Sequence, residues 1–245
     1  MEQKPIAAKG TLYLIPTPLG EVPPALVMPA EVLQRIPLLR HIIVEQLRTA
    51  RRLLKAIDPG IDVNEIQFNE LNKHTDLSLI RSFLQPAFDG NDIGLMSEAG
   101  SPCVADPGAL VVEQAHSMGI KVQPLSGPSA IIQALMASGF NGQSFVFHGY
   151  LPIAAEERTK MIRQMEKDSS ARNQTQIFIE TPFRNQQMLE ALLKSCQAET
   201  RLCVSSNISM PDEWIASGSI ASWQKKRPNF HKKPTVFLLW AADKS

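Results

Sequence analysis

The run Ile93-Gly94-Leu95-Met96-Ser97-Glu98-Ala99-Gly100-Ser101-Pro102-Cys103-Val104-Ala105-Asp106-Pro107-Gly108 passes from a strand-like apolar tetrad, through small and stiff residues, into an amphipathic segment beginning at Ala109. Gly100 lets the backbone approach a ligand, Ser101 brings a hydroxyl, and Pro102 and Pro107 stiffen the turn. Strand, tight loop and helix in that order favour a ligand at the strand's carboxyl end. The pattern returns at Leu125-Ser126-Gly127-Pro128-Ser129-Ala130, which follows Lys121-Val122-Gln123 and opens a helical stretch from Ala130 to Ser138.

Outward from this stretch, strand-like runs alternate with helical ones. The strands are read at Thr11 to Ile15, His41 to Val44, Glu65 to Phe68, Ile93 to Met96 and Lys121 to Gln123; the helices at Glu31 to Ile36, Gln46 to Ile57, Leu77 to Phe88 and Ala109 to Ser117. That rhythm predicts right-handed βαβ units in a parallel sheet. Beyond Pro124 the pattern changes. Strands are expected at Ser144 to Phe147, Gln176 to Ile179, Arg201 to Val204 and Thr235 to Trp240, with helices at Glu156 to Lys167 and Asn185 to Lys194. Trp214 to Trp223 reads as a strand with a turn at Gly218, which makes the second sheet mixed. The expected fold class is α/β with two domains, 1–124 and 125–245, and a small-molecule cleft between them.

Composition narrows the function. Of 245 residues, 44% are hydrophobic and 20% charged, values of an ordinary soluble globular protein, and the formal net charge of +1 draws it to neither nucleic acid nor anionic membrane as a whole. Cys103, Cys196 and Cys203 are odd in number and lack CxxC spacing. They indicate reduced thiols, without a disulfide framework or a metal site. Met1-Glu2-Gln3-Lys4-Pro5 carries no leader pattern, and no run approaches the ~20 apolar residues of a membrane span. A cytoplasmic protein is expected. The phosphate-binding GxxxxGK[ST], the dinucleotide GxGxxG, HExxH and GxSxG are all missing.

Five motifs in order then carry a resemblance: Gly10 to Gly20, Ser97 to Gly108, Gly127-Pro128-Ser129-Ala130 with Ala137-Ser138-Gly139, Phe147-His148-Gly149-Tyr150-Leu151-Pro152, and Phe178-Ile179-Glu180-Thr181-Pro182-Phe183-Arg184. Over nearly its full length the chain resembles the tetrapyrrole methylase superfamily of S-adenosylmethionine-dependent methyltransferases, closest to the branch that 2'-O-methylates a ribose of 16S ribosomal RNA. The resemblance implies a homodimer with the cofactor in the cleft between two α/β domains, and ribosomal RNA or the small ribosomal subunit as partner. It assigns Pro18, Leu19, Gly20, Ser97, Glu98, Ala99, Gly100, Ser101, Val104, Ser129 and Ala130 to the cofactor, joined by Glu180, Thr181, Pro234 and Thr235 from the second domain.

Departures from that branch fall at polar positions. Val44-Glu45-Gln46-Leu47-Arg48 stands for Ala-Glu-Asp-Thr-Arg, and Ser205-Ser206-Asn207-Ile208-Ser209 for Ser-Arg-Glu-Leu-Thr. Lys233-Pro234 replaces a Gly-Glu pair, and a histidine-rich segment is reduced to Phe68-Asn69-Glu70-Leu71-Asn72. Transfer to a ribose hydroxyl needs alignment and benefits from a base. Glu45, Glu70 and Glu180 are the candidates, with Arg48 and Arg184 orienting or pairing. Two other readings stay open: methylation of a tetrapyrrole or another small molecule, and a non-catalytic protein that binds S-adenosylmethionine or RNA. Plainer roles are also expected: Asp106 as a helix cap, Cys103 as a small apolar residue, and the three tryptophans as core. Arg48, Arg51, Arg52 and Lys55 read as a solvated face, as do Lys225-Lys226-Arg227 and His231-Lys232-Lys233.

Overall fold

The computed structural model describes residues 8–72, 74–225 and 228–241; Met1 to Pro5, Lys226 and Arg227 lie outside the described residues. The chain divides into two compact units, Met1–Pro128 and Ser129–Ser245.

In the first unit, β1 (Thr11–Ile15), β2 (His41–Val44), β3 (Gln67–Glu70), β4 (Ile93–Met96) and β5 (Lys121–Pro124) form a parallel sheet in the order β3-β2-β4-β1-β5. Both faces are covered, and the alternation of side chains along each strand assigns every residue to one of them. Tyr13, Ile15, Ile42, Val44 and Met96 pack with α1 (Ala30–Arg35) and α2 (Leu47–Ile57) through Val32, Ala50, Leu53 and Leu54. Leu12, Ile43, Ile93 and Leu95 pack with α3 (Leu77–Phe83) and α4 (Gly108–Ser117) through Ile80, Val111 and Ala115. Each fully buried aliphatic side chain here contributes roughly 1.5–3 kcal/mol. The chain leaves β2 toward β3 on one side and leaves β4 toward β5 on the other. The carboxyl ends of β2 and β4 therefore flank a topological switch point, where a crevice opens.

The second unit holds a mixed sheet in the order β6-β7-β10-β8-β9, with β6 (Phe145–Tyr150) parallel to β7 (Thr175–Glu180). Antiparallel pairs join β7 to β10 (Thr235–Trp240), β10 to β8 (Arg201–Ser206) and β8 to β9 (Trp214–Ser219). Its core gathers Phe178, Phe237, Val204 and Leu239 with Ile162 and Met165 of α6 (Ala155–Arg172) and Met188, Leu189 and Leu192 of α7 (Asn185–Ser195). The unit also holds α5 (Ala130–Ser138) and the short α8 (Ile220–Trp223).

Several boundaries move from those read in the sequence. The helix expected from Leu77 to Phe88 ends at Phe83 and continues as a 3-10 segment, Gln85–Asp89, because Pro86 has no N–H and disfavours a helical preceding residue. β3 pairs two residues later than read. Gly218 sits inside β9 and makes no turn there; the chain turns into α8 after Ser219, whose hydroxyl accepts the Ser222 N–H. Of the tryptophans only Trp223 is buried, while Trp214 is 37% exposed. No helix among the described residues is long and apolar enough to cross a membrane.

Candidate active site

The loops that leave β1 and β4 are fastened to each other. The Thr17 N–H donates to the Gly100 carbonyl at 2.9 Å and the Gly100 N–H to the Thr17 carbonyl at 3.0 Å, a one-residue antiparallel bridge. The Ser97 hydroxyl donates to the same Gly100 carbonyl at 3.1 Å. Gly100 has φ +80°, and an added Cβ would stand 3.0 Å from the Leu19 side chain. Glycine is required there by the backbone itself, independently of any ligand. The Ser101 hydroxyl donates to the Pro128 carbonyl at 3.2 Å and so ties the second small-residue loop to the first. Gly127 has a comparable steric reason: its missing Cβ leaves room for the Pro16 ring, otherwise 2.3 Å away.

Beyond Ser101 the loop tightens around Asp106. Its carboxylate accepts the Cys103 N–H at 2.9 Å and the Gly108 N–H, the first of α4, at 2.7 Å. The N-cap itself is Pro107, one residue later than expected, and Asp106 satisfies the first helical N–H from the position before it. Cys103 and Ala105, at φ +70° and +64°, are held in the left-handed region by these bonds. Burial raises the Asp106 carboxyl above its ordinary value, and the two N–H donors oppose that. Val104 stands 46% exposed at the tip.

Glu45 and Glu98 meet at the switch point. The Glu98 N–H donates to Glu45 Oε2 at 3.3 Å. Glu45 is itself an exposed residue; partial desolvation of its carboxyl, and then the charges of Asp106 and Glu98, raise it above the ordinary glutamate value, while the Glu98 N–H lowers it. Glu70, at the end of β3, accepts the Leu47 N–H at 3.4 Å, and Gln46 accepts the Arg48 N–H at 3.3 Å. Both cap α2, so the glutamine does here what an aspartate at that position would do. Beside them lies a cavity of about 650 Å³ lined by Pro18, Leu19, Gly20, Glu98 and Ala99, together with Thr49, Arg52 and Leu53 of α2. The sequence reading missed those α2 residues as lining. Arg52 pairs with Glu21 at 2.8 Å, and its place in a basic stretch concealed its position at the cavity.

In the second unit the strand ends bring together residues that sequence places 55 positions apart. Glu180 of β7 and Thr235 of β10 are register partners, and Thr235 is in turn the partner of Ser206. Glu180 is buried. Its Oε1 accepts from the Thr181 N–H at 2.6 Å, from Arg184 Nε at 3.0 Å and from Arg184 Nη2 at 2.5 Å, whereas Oε2 is buried without a partner. Asn185, which sequence gave no reason to single out, is fully buried and spans the cluster, with Nδ2 donating to the Lys233 carbonyl at 2.6 Å and lying 3.1 Å from Thr235 Oγ1. Ser129 and Ala130 open α5, with Ser129 at its N-cap.

The three cysteines are free thiols. Burial raises all three, Cys103 to about 12 and Cys203 to about 11, so each is protonated at neutral pH. No cluster of three metal-ligating side chains occurs among the described residues.

Comparison with known proteins places the chain among relatives. Residues 12–223 match the family profile of the tetrapyrrole (corrin/porphyrin) methylases. Over 231 residues the chain is 30% identical to the ribosomal RNA small subunit methyltransferase I of Vibrio cholerae serotype O1, an alignment covering 93% of this chain and 76% of that protein. The crystal structure of the methyltransferase CobJ aligns with a TM-score of 0.63 at 16% identity over 94% of each chain. The uroporphyrin-III C-methyltransferase of Thermus thermophilus, complexed with S-adenyl homocysteine, aligns with a TM-score of 0.58 at 15% identity over 94% of this chain and 97% of that one. At such identities the two structures establish a shared two-sheet α/β fold.

Proposed function

This chain belongs to the tetrapyrrole (corrin/porphyrin) methylase family, and from that membership we propose that it transfers the methyl group of S-adenosylmethionine to a ribose 2'-hydroxyl of small-subunit ribosomal RNA. The observation that carries the acceptor is the 30% identity, over 93% of the chain, to a relative named for methylating small-subunit ribosomal RNA. We place the enzyme in the cytoplasm, assembled as the homodimer that the resemblance implies.

The residues present fit the cofactor. The 650 Å³ cavity is mostly apolar in lining, with Glu21, Arg52 and Glu98 as its charged groups; Arg52 is paired with Glu21, which leaves Glu98 as the unpaired charge toward a ligand amine. Pro18, Leu19, Gly20, Glu98 and Ala99 would hold it there, together with Ser97, Gly100, Ser101 and the exposed Val104 on the adjoining loop. In the second unit, the unpartnered Glu180 Oε2 is an acceptor without a donor, and a buried acceptor left so costs about 1–3 kcal/mol. An amine or sugar hydroxyl would satisfy it, which keeps Glu180 among the cofactor contacts with Thr181, Pro234, Thr235, Ser129 and Ala130. When bound, S-adenosylmethionine supplies a methyl carbon made electrophilic by its sulfonium.

Glu45 is the residue we assign to proton removal. It stands at the crevice, its carboxylate is steadied by the Glu98 N–H, and its raised proton affinity makes it a stronger base than an ordinary glutamate. Arg48, exposed in the first turn of α2, orients the anionic acceptor. Glu70 acts through the α2 cap as a positioning residue, and Arg184 balances the Glu180 charge. Calorimetric titration with S-adenosylmethionine and S-adenosylhomocysteine, followed by tritiated-methyl transfer to unmethylated small ribosomal subunits, tests the reading. Binding with transfer supports it, binding without transfer overturns the acceptor, and absence of binding overturns the whole.

A further inference from the structure

We propose that a groove within the second unit, formed by α6, the turn from α7 to β8 and the end of β10, binds the phosphodiester backbone of RNA. Two adjoining hollows of about 1000 and 610 Å³ share Arg163 and Lys167 in their linings. Lys160, Arg163 and Lys167 recur at i, i+3 and i+7 on an exposed stripe of α6, and Arg201 faces the groove from the start of β8. Lys160 and Lys167 are about 10 Å apart along the helix axis, the length over which one nucleic-acid strand presents about three phosphates.

Lys160, Arg163 and Lys167 make no side-chain hydrogen bond, salt bridge or ring contact among the described residues, and Arg201 only touches rings and the Ser217 hydroxyl. On α2, by contrast, Arg52 pairs with Glu21, Arg51 lies over the Phe68 ring and Lys55 donates to the Pro59 carbonyl. Lys233 pairs with Asp212. Arg201 is also held in place. Its guanidinium lies 5.0 Å from the Phe140 ring centre and 5.6 Å from that of Trp240, whose indole N–H is fixed on Asn173 Oδ1 at 3.0 Å. A guanidinium set in advance against two adjoining rings loses little freedom on meeting a phosphate and can present two donors to it.

Four cations face three acids in the groove, and one of the acids is spent on internal hydrogen bonds. Glu166 turns inward, accepting the Gln197 N–H at 2.8 Å and the Thr200 hydroxyl at 2.6 Å. Glu156 lines one hollow and Glu199 the other. With a whole-chain charge of only +1, attraction for RNA at this face is local.

The inference rests on the reading that the acceptor is ribosomal RNA. Its test uses the full-length Arg163→Gln/Lys167→Gln protein, with Lys55→Gln/Lys121→Gln, which removes equal charge in the first unit, as control. Affinity for a 16S rRNA transcript is followed against salt, and methyl transfer to small subunits is resolved into kcat and KM. The slope of log affinity against log salt is expected to fall by about 1.4 in the groove variant, two contacts at roughly 0.7 each. KM for subunits should rise several-fold with kcat and S-adenosylmethionine affinity unchanged. A slope and KM equal to wild type, or the same change in the control, overturns the groove while leaving the acceptor reading intact. A wild-type protein that neither binds the transcript nor methylates subunits overturns both.

Discussion

As the proposed base, Glu45 would couple stability to chemistry in opposite directions. A carboxyl whose folded proton affinity exceeds its unfolded one contributes stability at pH below the unfolded value, and that contribution is lost as pH rises through the folded value. At neutral pH the ionised Glu45 therefore weighs against the fold. Glu45→Gln, which keeps an acceptor for the Glu98 N–H, should raise the melting temperature slightly at pH 7 while reducing kcat by roughly 10²–10⁴-fold. The wild-type rate should fall with acid through a midpoint above the ordinary glutamate value of 4.5, and the variant should lack that limb. Differential scanning calorimetry and a pH–rate profile measure the two effects; an unchanged kcat removes Glu45 as the base. At this scale the sequence showed which residue types gather at the site. It could not show that Glu70 and Gln46 spend their side chains on capping α2, because a cap depends on where a neighbouring strand ends. Nor could it show Asn185, whose partners lie 48 and 50 residues away.

Periodicity located nearly all the elements, since buried strands and amphipathic helices write their burial into the order of apolar residues. It misplaced β3, where only Phe68 and its neighbours offer an apolar signal. It also put a turn at Gly218, which is a register partner of Leu202 within the β8–β9 pair. Glycine in the loops was legible as a need for space, but not whose space. Gly127→Ala should cost about 1–3 kcal/mol in urea unfolding, because its Cβ would meet the rigid Pro16 ring at 2.3 Å. Gly142→Ala, where nothing lies within 4 Å, should be neutral or slightly stabilising. Equal stabilities for the two variants would contradict the packing assigned to the 125–128 loop.

The first sheet's order, β3-β2-β4-β1-β5, was not readable from the chain, which gave the parallel βαβ rhythm and left strand neighbours open. Pairing is decided by which faces two strands can share, and that is a property of the assembled unit. The change of character near Pro124 was visible because the second half gives up that rhythm for antiparallel pairs; compactness divides the chain at Pro128. A ligand bound only by the folded protein stabilises it by mass action. S-adenosylhomocysteine at one hundred times its Kd should add about 2.7 kcal/mol and raise the melting temperature by roughly 5–10 °C in a thermal-shift series; no shift would contradict the cofactor assignment. The two-sided first sheet also governs how a gene for such a chain can change. Ile42 and Val44 face one core and Ile43 the other, so losing a single codon within β2 would turn every later side chain of the strand to the opposite face and damage both cores at once. A codon gained at the exposed Pro59-Gly60 turn would be absorbed without loss. Descent among these chains is therefore expected to be recorded as substitutions inside the strands and as differences of length between them.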